Sequence, residues 1–160
     1  MTACLLDTNL FITSEQHIPR DIFPSFWDRF GMTLQTGEAV LHKTVLDELE
    51  QRKDAIVPWL KSLNGVKPMQ ASSDTLEKYL EVCAWAENNG YTKEAIREFQ
   101  SGSRADAWLV AEGAASGLAV VTYEKRSDTI KKVKILNACE AFGVEWVSGF
   151  DFMRQHGFKF

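Results

Sequence analysis

The chain has 160 residues, of which 45% are hydrophobic and 25% charged, and this balance predicts one globular domain over 1–160 with a substantial core. The chain contains no apolar run of roughly 18 residues and no basic leader, so we expect neither a transmembrane helix nor a signal peptide. Three scattered cysteines and three histidines lack metal-ligand spacing, so we expect a cytoplasmic protein without a zinc site, a disulfide framework or a membrane partner.

The first half of the chain predicts short apolar strands that alternate with helices. Residues 3–6 form an apolar run that ends at Asp7, as a buried strand does. Aromatic residues at helical spacing predict a helix over 21–36, with Asp21 as its N-cap. The next predicted elements are a strand over 39–42, a helix that begins at Thr44 and a helix over 58–63.

The second half continues this alternation. A helix over 74–88 has a predicted apolar stripe, and Thr92 is the predicted N-cap of a helix that ends at Phe99. The stripe residues are Leu76, Tyr79, Leu80, Cys83 and Ala84. The remaining predicted elements are a helix over 103–115, a strand over 118–121, a strand over 144–147 and a helix over 150–155. This order favours a mostly parallel sheet with helices on both faces.

Ligands of parallel α/β sheets collect at the carboxyl ends of the strands, and two acids follow predicted strands directly. Asp7 follows the strand over 3–6, and Glu124 follows the strand over 118–121 by a few residues. Thr122 and Glu124 are two residues apart and point to the same side of an extended chain. The alternative for Asp7 is a turn or helix-capping acid.

Two further acids lie near predicted helix starts. Glu48 follows Thr44 and Asp47, which resemble a capping box and leave Glu48 free to face a cleft; the alternative is a solvent-exposed helix acid. Asp106 lies in a predicted first turn, where the helix N-terminus favours an ionised metal ligand; the alternative is a capping partner of Ser103.

A set of carboxylates without a histidine or cysteine cluster is typical of a site for hard divalent cations. Mg²⁺ and Mn²⁺ prefer oxygen ligands and tolerate bound waters. Two such cations about 3.5–4 Å apart lower the pKa of an attacking water and stabilise the leaving oxygen of a phosphodiester. We therefore expect Mg²⁺ or Mn²⁺ as the cofactor.

The overall charge of −4 and the isoelectric point near 5.4 do not favour nucleic-acid binding, but one stretch is basic. Residues 125–134 contain five cations and a single Asp128. The cations, which would attract the phosphate backbone of a nucleic acid, are Lys125, Arg126, Lys131, Lys132 and Lys134. The alternative is an ordinary solvated loop.

Four segments resemble the PIN domain in order and spacing. They are LLDTNLFI at 5–12, VLDEL at 45–49, SRADAWLVAEG at 103–113 and VVTYE at 120–124. The DUF4411 branch of the PIN-like proteins is more similar still. Its likeness lies in DIFPSFWD at 21–28, the predicted helix that precedes SGSRADAWL and the tail KKVKILNACEAFGVEWVSGFDFMR. The resemblance covers nearly the whole chain.

The resemblance implies a PIN-like three-layer α/β sandwich and a metal-dependent endoribonuclease in which an activated water attacks phosphorus in line. It implies Asp7, Glu48 and Asp106 as metal-binding acids. Glu124 stands where the family more often has Asp. Asn9 and Thr122 would support these acids and keep them oriented. Many PIN proteins are VapC-type toxins, so a cognate antitoxin protein and a homodimer are implied as partners beside the RNA.

Two other functions compete with this interpretation. A phosphatase of the haloacid-dehalogenase type also begins with a strand and an Asp nucleophile, but it needs a second Asp at position 9, where this chain has Asn9. A catalytically weak or inactive PIN fold that binds RNA or protein as a regulatory module is the stronger alternative.

Overall fold

The computed structural model describes residues 3–160; the first two residues of the predicted domain lie outside the described part. Its centre is a parallel sheet of four strands in the order β2-β1-β3-β4. The strands are β1 (Cys4–Leu6), β2 (Ala39–Val40), β3 (Ala119–Thr122) and β4 (Trp146–Ser148). Parallel neighbours need long crossover connections, and helices supply them here.

Nine helices of the described chain flank this sheet. They are α1 (Thr8–His17), α2 (Pro24–Thr36), α3 (Lys43–Gln51), α4 (Val57–Ser62), α5 (Ser73–Glu87), α6 (Lys93–Phe99), α7 (Asp106–Ser116), α8 (Ile135–Ala141) and α9 (Gly149–Gln155). The fold is the α/β, PIN-like sandwich with a parallel central sheet that the sequence predicts. Within residues 3–160, no helix has the length and apolar character needed to cross a membrane.

The central strands are short and wholly buried. Leu5 and Leu6 of β1 and Val120 and Val121 of β3 are fully buried between the helical layers. This burial on both faces explains why each strand is a continuous apolar run rather than an alternating one. Strands β1 and β3 therefore form a rigid base whose carboxyl ends lie side by side, with Leu6 in register with Val121.

Several predicted helix starts are wrong. Helix α2 begins at Pro24 rather than at Asp21, because the preceding residues form a turn in which the Phe23 amide donates to the Pro19 carbonyl, and proline suits a first helical position. The segment predicted to open a helix at Ser103 is likewise a turn, and α7 begins at Asp106. By contrast, Thr92 caps α6 as predicted, with its side chain accepting from the amide of Ala95.

The predicted apolar stripe of the helix over 74–88 is only partly correct: Tyr79 packs against the core and stacks on Trp108, and Cys83 is half-buried. Leu76 and Leu80 are exposed, and α5 instead buries Thr75, Val82 and Ala86. These smaller side chains allow α5 to pack closely against α7. Relative to the predicted stripe, the buried face of α5 is rotated around the helix axis.

A buried polar network crosses the same interface. The amide of Thr44 donates to Nδ1 of His42, so the proton of this ring lies on Nε2, which donates to Oε1 of Glu112 at 2.9 Å. The hydroxyls of Thr75 and Ser116 donate to the other oxygen of Glu112. His42 and Glu112 are fully buried, so the network ties α3, α5 and α7 together through groups that water cannot reach.

Candidate functional site

Asp7 lies directly after β1, at the carboxyl end of the sheet. Its amide donates to the carbonyl of Val121 at 2.9 Å, which extends the β1–β3 pairing and fixes its backbone. Asp7 occupies the N-cap position of α1, but its side chain makes no capping hydrogen bond. The carboxylate is 2% exposed. Its placement is therefore not explained by helix capping.

Thr122 holds the Asp7 carboxylate from the neighbouring strand, and Asn9 contacts Thr122. The Thr122 hydroxyl donates to Oδ2 of Asp7 at 2.7 Å, and Oδ1 of Asn9 lies 3.3 Å from the same hydroxyl. Oδ1 of Asn9 also accepts from the amide of Tyr123 at 3.4 Å. The bond from Thr122 orients Asp7 directly, whereas Asn9 contacts Thr122 and the Tyr123 amide rather than Asp7.

Glu48 is a buried acid of α3 rather than a surface one. Only 7% of it is exposed. The predicted capping box of Thr44 and Asp47 does not form, because Asp47 pairs with Lys43 and the side chain of His42 caps the helix instead. Either arrangement leaves Glu48 without a capping role and facing inward.

Asp106 is the first residue of α7 and is 7% exposed. Its expected alternative role as the capping partner of Ser103 does not occur, because Ser103 bonds with Ser101 and Ala105 is the N-cap. Burial, and after it the neighbouring Glu124, raise the pKa of Asp106 to about 7, although Arg104 acts in the opposite direction. Positive charge brought close to Asp106 would therefore favour its ionised form.

Glu124 follows β3 and is the fourth acid of the candidate site. Its amide donates to the Thr122 hydroxyl oxygen at 3.0 Å, and its Oε1 lies 3.8 Å from Nζ of Lys132. The other oxygen, Oε2, is buried and has no hydrogen-bond partner within residues 3–160. A buried carboxylate oxygen without a donor is costly, so a cation or a hydrogen-bond donor in the cavity would stabilise it.

The four acids line one cavity of about 230 Å³. Burial raises the pKa of Asp7 well above its ordinary value, and the neighbouring carboxylates raise it further. In decreasing order, these neighbours are Asp106, Glu124 and Glu48. The hydrogen bond from Thr122 acts in the opposite direction, because it stabilises the ionised form. Residues that are far apart in the sequence thus form one electrostatically coupled group.

Three cations at this cavity were not singled out together by the sequence. Arg52, Arg104 and Lys132 line it beside the acids, and Nε of Arg104 lies 3.5 Å from Oε1 of Glu48. For two of these cations, the spacing from an acid was the signal by which the sequence could have identified them. Arg52 follows Glu48 by one helical turn, and Arg104 precedes Asp106 by two residues.

The predicted basic cluster divides in the structure. Of its five cations, Lys132 is the one that lines the acidic cavity in the described chain. Arg126 forms ion pairs with Asp128 and Glu140, both at 2.6 Å, and Lys134 is the N-cap residue of α8. Lys125 and Lys131 are exposed. Arg126 is thus already engaged by acids, whereas Lys125 and Lys131 remain available to a polyanion.

The chemistry of the cavity fits a hard divalent cation. Its acids offer carboxylate oxygens and its lining contains no histidine or cysteine, which is the ligand set that Mg²⁺ and Mn²⁺ prefer. The raised pKa of Asp7 and the unpartnered oxygen of Glu124 also indicate a deficit of positive charge. Within residues 3–160 the side chains do not form a ready-made group of three metal ligands, and Glu48 and Glu124 pair with cations of the chain itself.

A parallel sheet with buried carboxylates at the ends of its central strands defines an α/β protein of the PIN-like sandwich class with an acidic pocket. The chain belongs to the DUF4411 family, described as a domain of unknown function, whose model matches residues 4–160. No curated protein and no solved structure matches the chain.

Proposed function

We propose that this protein is a metal-dependent endoribonuclease that hydrolyses RNA phosphodiester bonds with Mg²⁺ or Mn²⁺. The observation that carries the proposal is the meeting of Asp7, Glu48, Asp106 and Glu124 in one cavity, where burial and the neighbouring carboxylates raise the pKa values of Asp7 and Asp106. A bound cation would stabilise the ionised carboxylates, because its positive charge offsets both their burial and their mutual repulsion.

Asp7, Glu48 and Asp106 would hold the metal, and Glu124 would complete the set through its unpartnered oxygen. When bound, the metal would supply a water of lowered pKa and stabilise the departing oxygen. Thr122 keeps Asp7 oriented by donating to its Oδ2. Lys132, paired with Glu124, is placed to meet an incoming phosphate.

The cleavage test uses single-stranded and structured RNA with Mn²⁺, with EDTA, and with the Asp7→Asn variant. We expect Mn²⁺-dependent cleavage that EDTA and the variant both abolish, with 5′-phosphate and 3′-hydroxyl ends on the products. Failure of the parent protein to cleave any RNA in Mn²⁺, or equal cleavage by Asp7→Asn, contradicts the proposal. Variant Asp151→Asn, which changes an exposed acid of α9, is the matched control.

The finer proposal is that the nuclease is the toxin of a type II toxin–antitoxin pair, as the resemblance to VapC-type proteins implies. Its partner would be an antitoxin protein that covers the acidic cavity with a basic side chain, and the toxin would form a homodimer. Co-purification with the product of a neighbouring gene, followed by loss of RNA cleavage in the complex, is the expected result. A neighbour that neither binds nor inhibits would argue against this role.

A PIN-fold binding module is the second candidate function, and one observation favours it. Glu48 and Glu124 are paired with Arg104 and Lys132, so part of the acidic charge is already balanced without a metal. Tight binding of RNA or protein without cleavage in Mn²⁺ would favour the module. Metal-dependent cleavage would exclude it.

A further inference from the structure

The acidic cavity continues into a second cavity of about 380 Å³ along the outer side of α3. The two cavities share Glu48, Arg52 and Arg104, so they form one groove. The outer part is completed by Gln51 and Ser103, which are neutral polar residues. The groove thus leads from buried acids to a surface on which the charged groups beyond Glu48 are two arginines.

Arg52 is an exposed cation without a partner in the described chain. No carboxylate within residues 3–160 forms an ion pair with it, and its guanidinium makes no hydrogen bond there. Because it lies one helical turn after Glu48 on α3, its side chain reaches the same groove. An arginine presents a planar set of donors that matches a phosphate group, so this position suits an anionic ligand.

Arg104 is the second arginine that lines both cavities. Its Nη1 lies 3.1 Å from Oε1 of Glu98, and its Nε lies 3.5 Å from Oε1 of Glu48. A guanidinium has five N–H donors, so these two ion pairs leave donors for a further acceptor. Because Arg104 is two residues from Asp106, a phosphate that it binds would be directly next to the acids.

Resting on the proposed nuclease function, we propose that Arg52 and Arg104 bind backbone phosphates of a single-stranded RNA next to the phosphate that is cleaved. The strand follows the groove from the acidic cavity across α3. Asp7 and Asp106 are almost fully buried, so the reacting phosphate must enter a recess. A flexible single strand can present a phosphate in this way, whereas a stiff duplex carries its backbone on the outside of a wide rod.

The test measures binding separately from cleavage. A labelled single-stranded oligoribonucleotide is titrated by fluorescence anisotropy into the Asp7→Asn protein in EDTA, over a range of salt concentrations. Arg52→Gln and Arg104→Gln are then added together in the same background. We expect at least tenfold weaker binding at low salt. The salt slope of the logarithm of the affinity should fall by about 1.4, since each phosphate contact with a single strand contributes about 0.7.

Two controls make the result specific to the groove. Arg154→Gln removes an exposed arginine on α9 and should leave affinity and salt slope unchanged. Arg52→Gln alone tests the groove if the double variant unfolds, because Arg52 is exposed at the end of α3. Its expected slope change is about 0.7.

Unchanged affinity and slope in the arginine variants would overturn the inference, as would equal or tighter binding of a duplex of the same length. Absence of any RNA binding by the Asp7→Asn protein would also overturn it. The nuclease proposal fails separately, if the parent protein binds RNA through the arginines but does not cleave it in Mn²⁺.

Discussion

Asp106→Asn should stabilise the metal-free protein at alkaline pH, and the effect should disappear in acid. The pKa of Asp106 is raised from 3.8 to about 7 by burial and by neighbouring acids. The folded state therefore binds the Asp106 proton more tightly than the unfolded state does. The stability that this proton provides is fully present below about pH 4 and is lost as the pH rises towards 7.

The size of the effect follows from the pKa difference. Each pKa unit corresponds to about 1.4 kcal/mol, so the ionised Asp106 lowers the free energy of unfolding by at most about 4 kcal/mol above pH 7. The amide of asparagine has nearly the same shape and no charge. We expect Asp106→Asn to gain roughly 2–4 kcal/mol at pH 8, or about 5–15 °C in melting temperature for a chain of this size.

The assay is chemical and thermal unfolding of both proteins in EDTA at several values between pH 4 and pH 8. The two stability curves should meet near pH 4 and separate as the pH rises. Asp151→Asn, an exposed replacement on α9, should follow the parent protein throughout. A variant that is less stable than the parent at pH 8, or a difference that does not depend on pH, would refute the electrostatic reasoning.

Three further substitutions have defined outcomes. Thr122→Val removes the donor to Asp7 but keeps the side-chain shape, and we expect a 10–100-fold loss of Mn²⁺ affinity measured by calorimetry; unchanged affinity would contradict the orienting role. Glu112→Ala leaves the buried Nε2 of His42 without an acceptor and should cost roughly 1–3 kcal/mol in urea unfolding, and an unchanged stability would contradict the network. Gly149→Ala places a methyl group 2.3 Å from the ring of Tyr123 and should cost about 1–3 kcal/mol, whereas Gly102→Ala, with open space around it, should be neutral.

Much of the sheet was predictable because its strands are buried on both faces. Continuous apolar runs identify β1 and β3, and parallel pairing then brings the acids that follow them to one edge. This is why Asp7 and Glu124 could be selected from local sequence alone. The start of α6 was equally accessible, since Thr92 is a strong capping residue.

Other features depend on tertiary packing that sequence patterns do not encode. Leu76 and Leu80 have more apolar surface than Val82 and Ala86. The smaller side chains are nevertheless the buried ones, because α5 packs closely against α7. Trp146 is a large aromatic residue but is 49% exposed, because β4 is the edge strand of the sheet.

The cations of the candidate site were also difficult to identify from local sequence, because their role depends on tertiary contacts. Arginine and lysine occur on every surface, so the position of Arg104 two residues before Asp106 was a weak signal by itself. Its importance becomes visible when Glu48 and Glu98, from two different helices, are found on either side of it. The same applies to Lys132, which lines the cavity while its neighbour Lys131 is exposed.

Isothermal titration of the protein with Mn²⁺ at pH 8 tests the central claim most directly. We expect saturable binding to the parent protein, and at least tenfold weaker binding after Asp7→Asn, Glu48→Gln or Asp106→Asn, each introduced alone. Asp151→Asn should bind Mn²⁺ as the parent does. Absence of binding to the parent protein, or equal binding by all the variants, would show that these carboxylates do not hold a cation together.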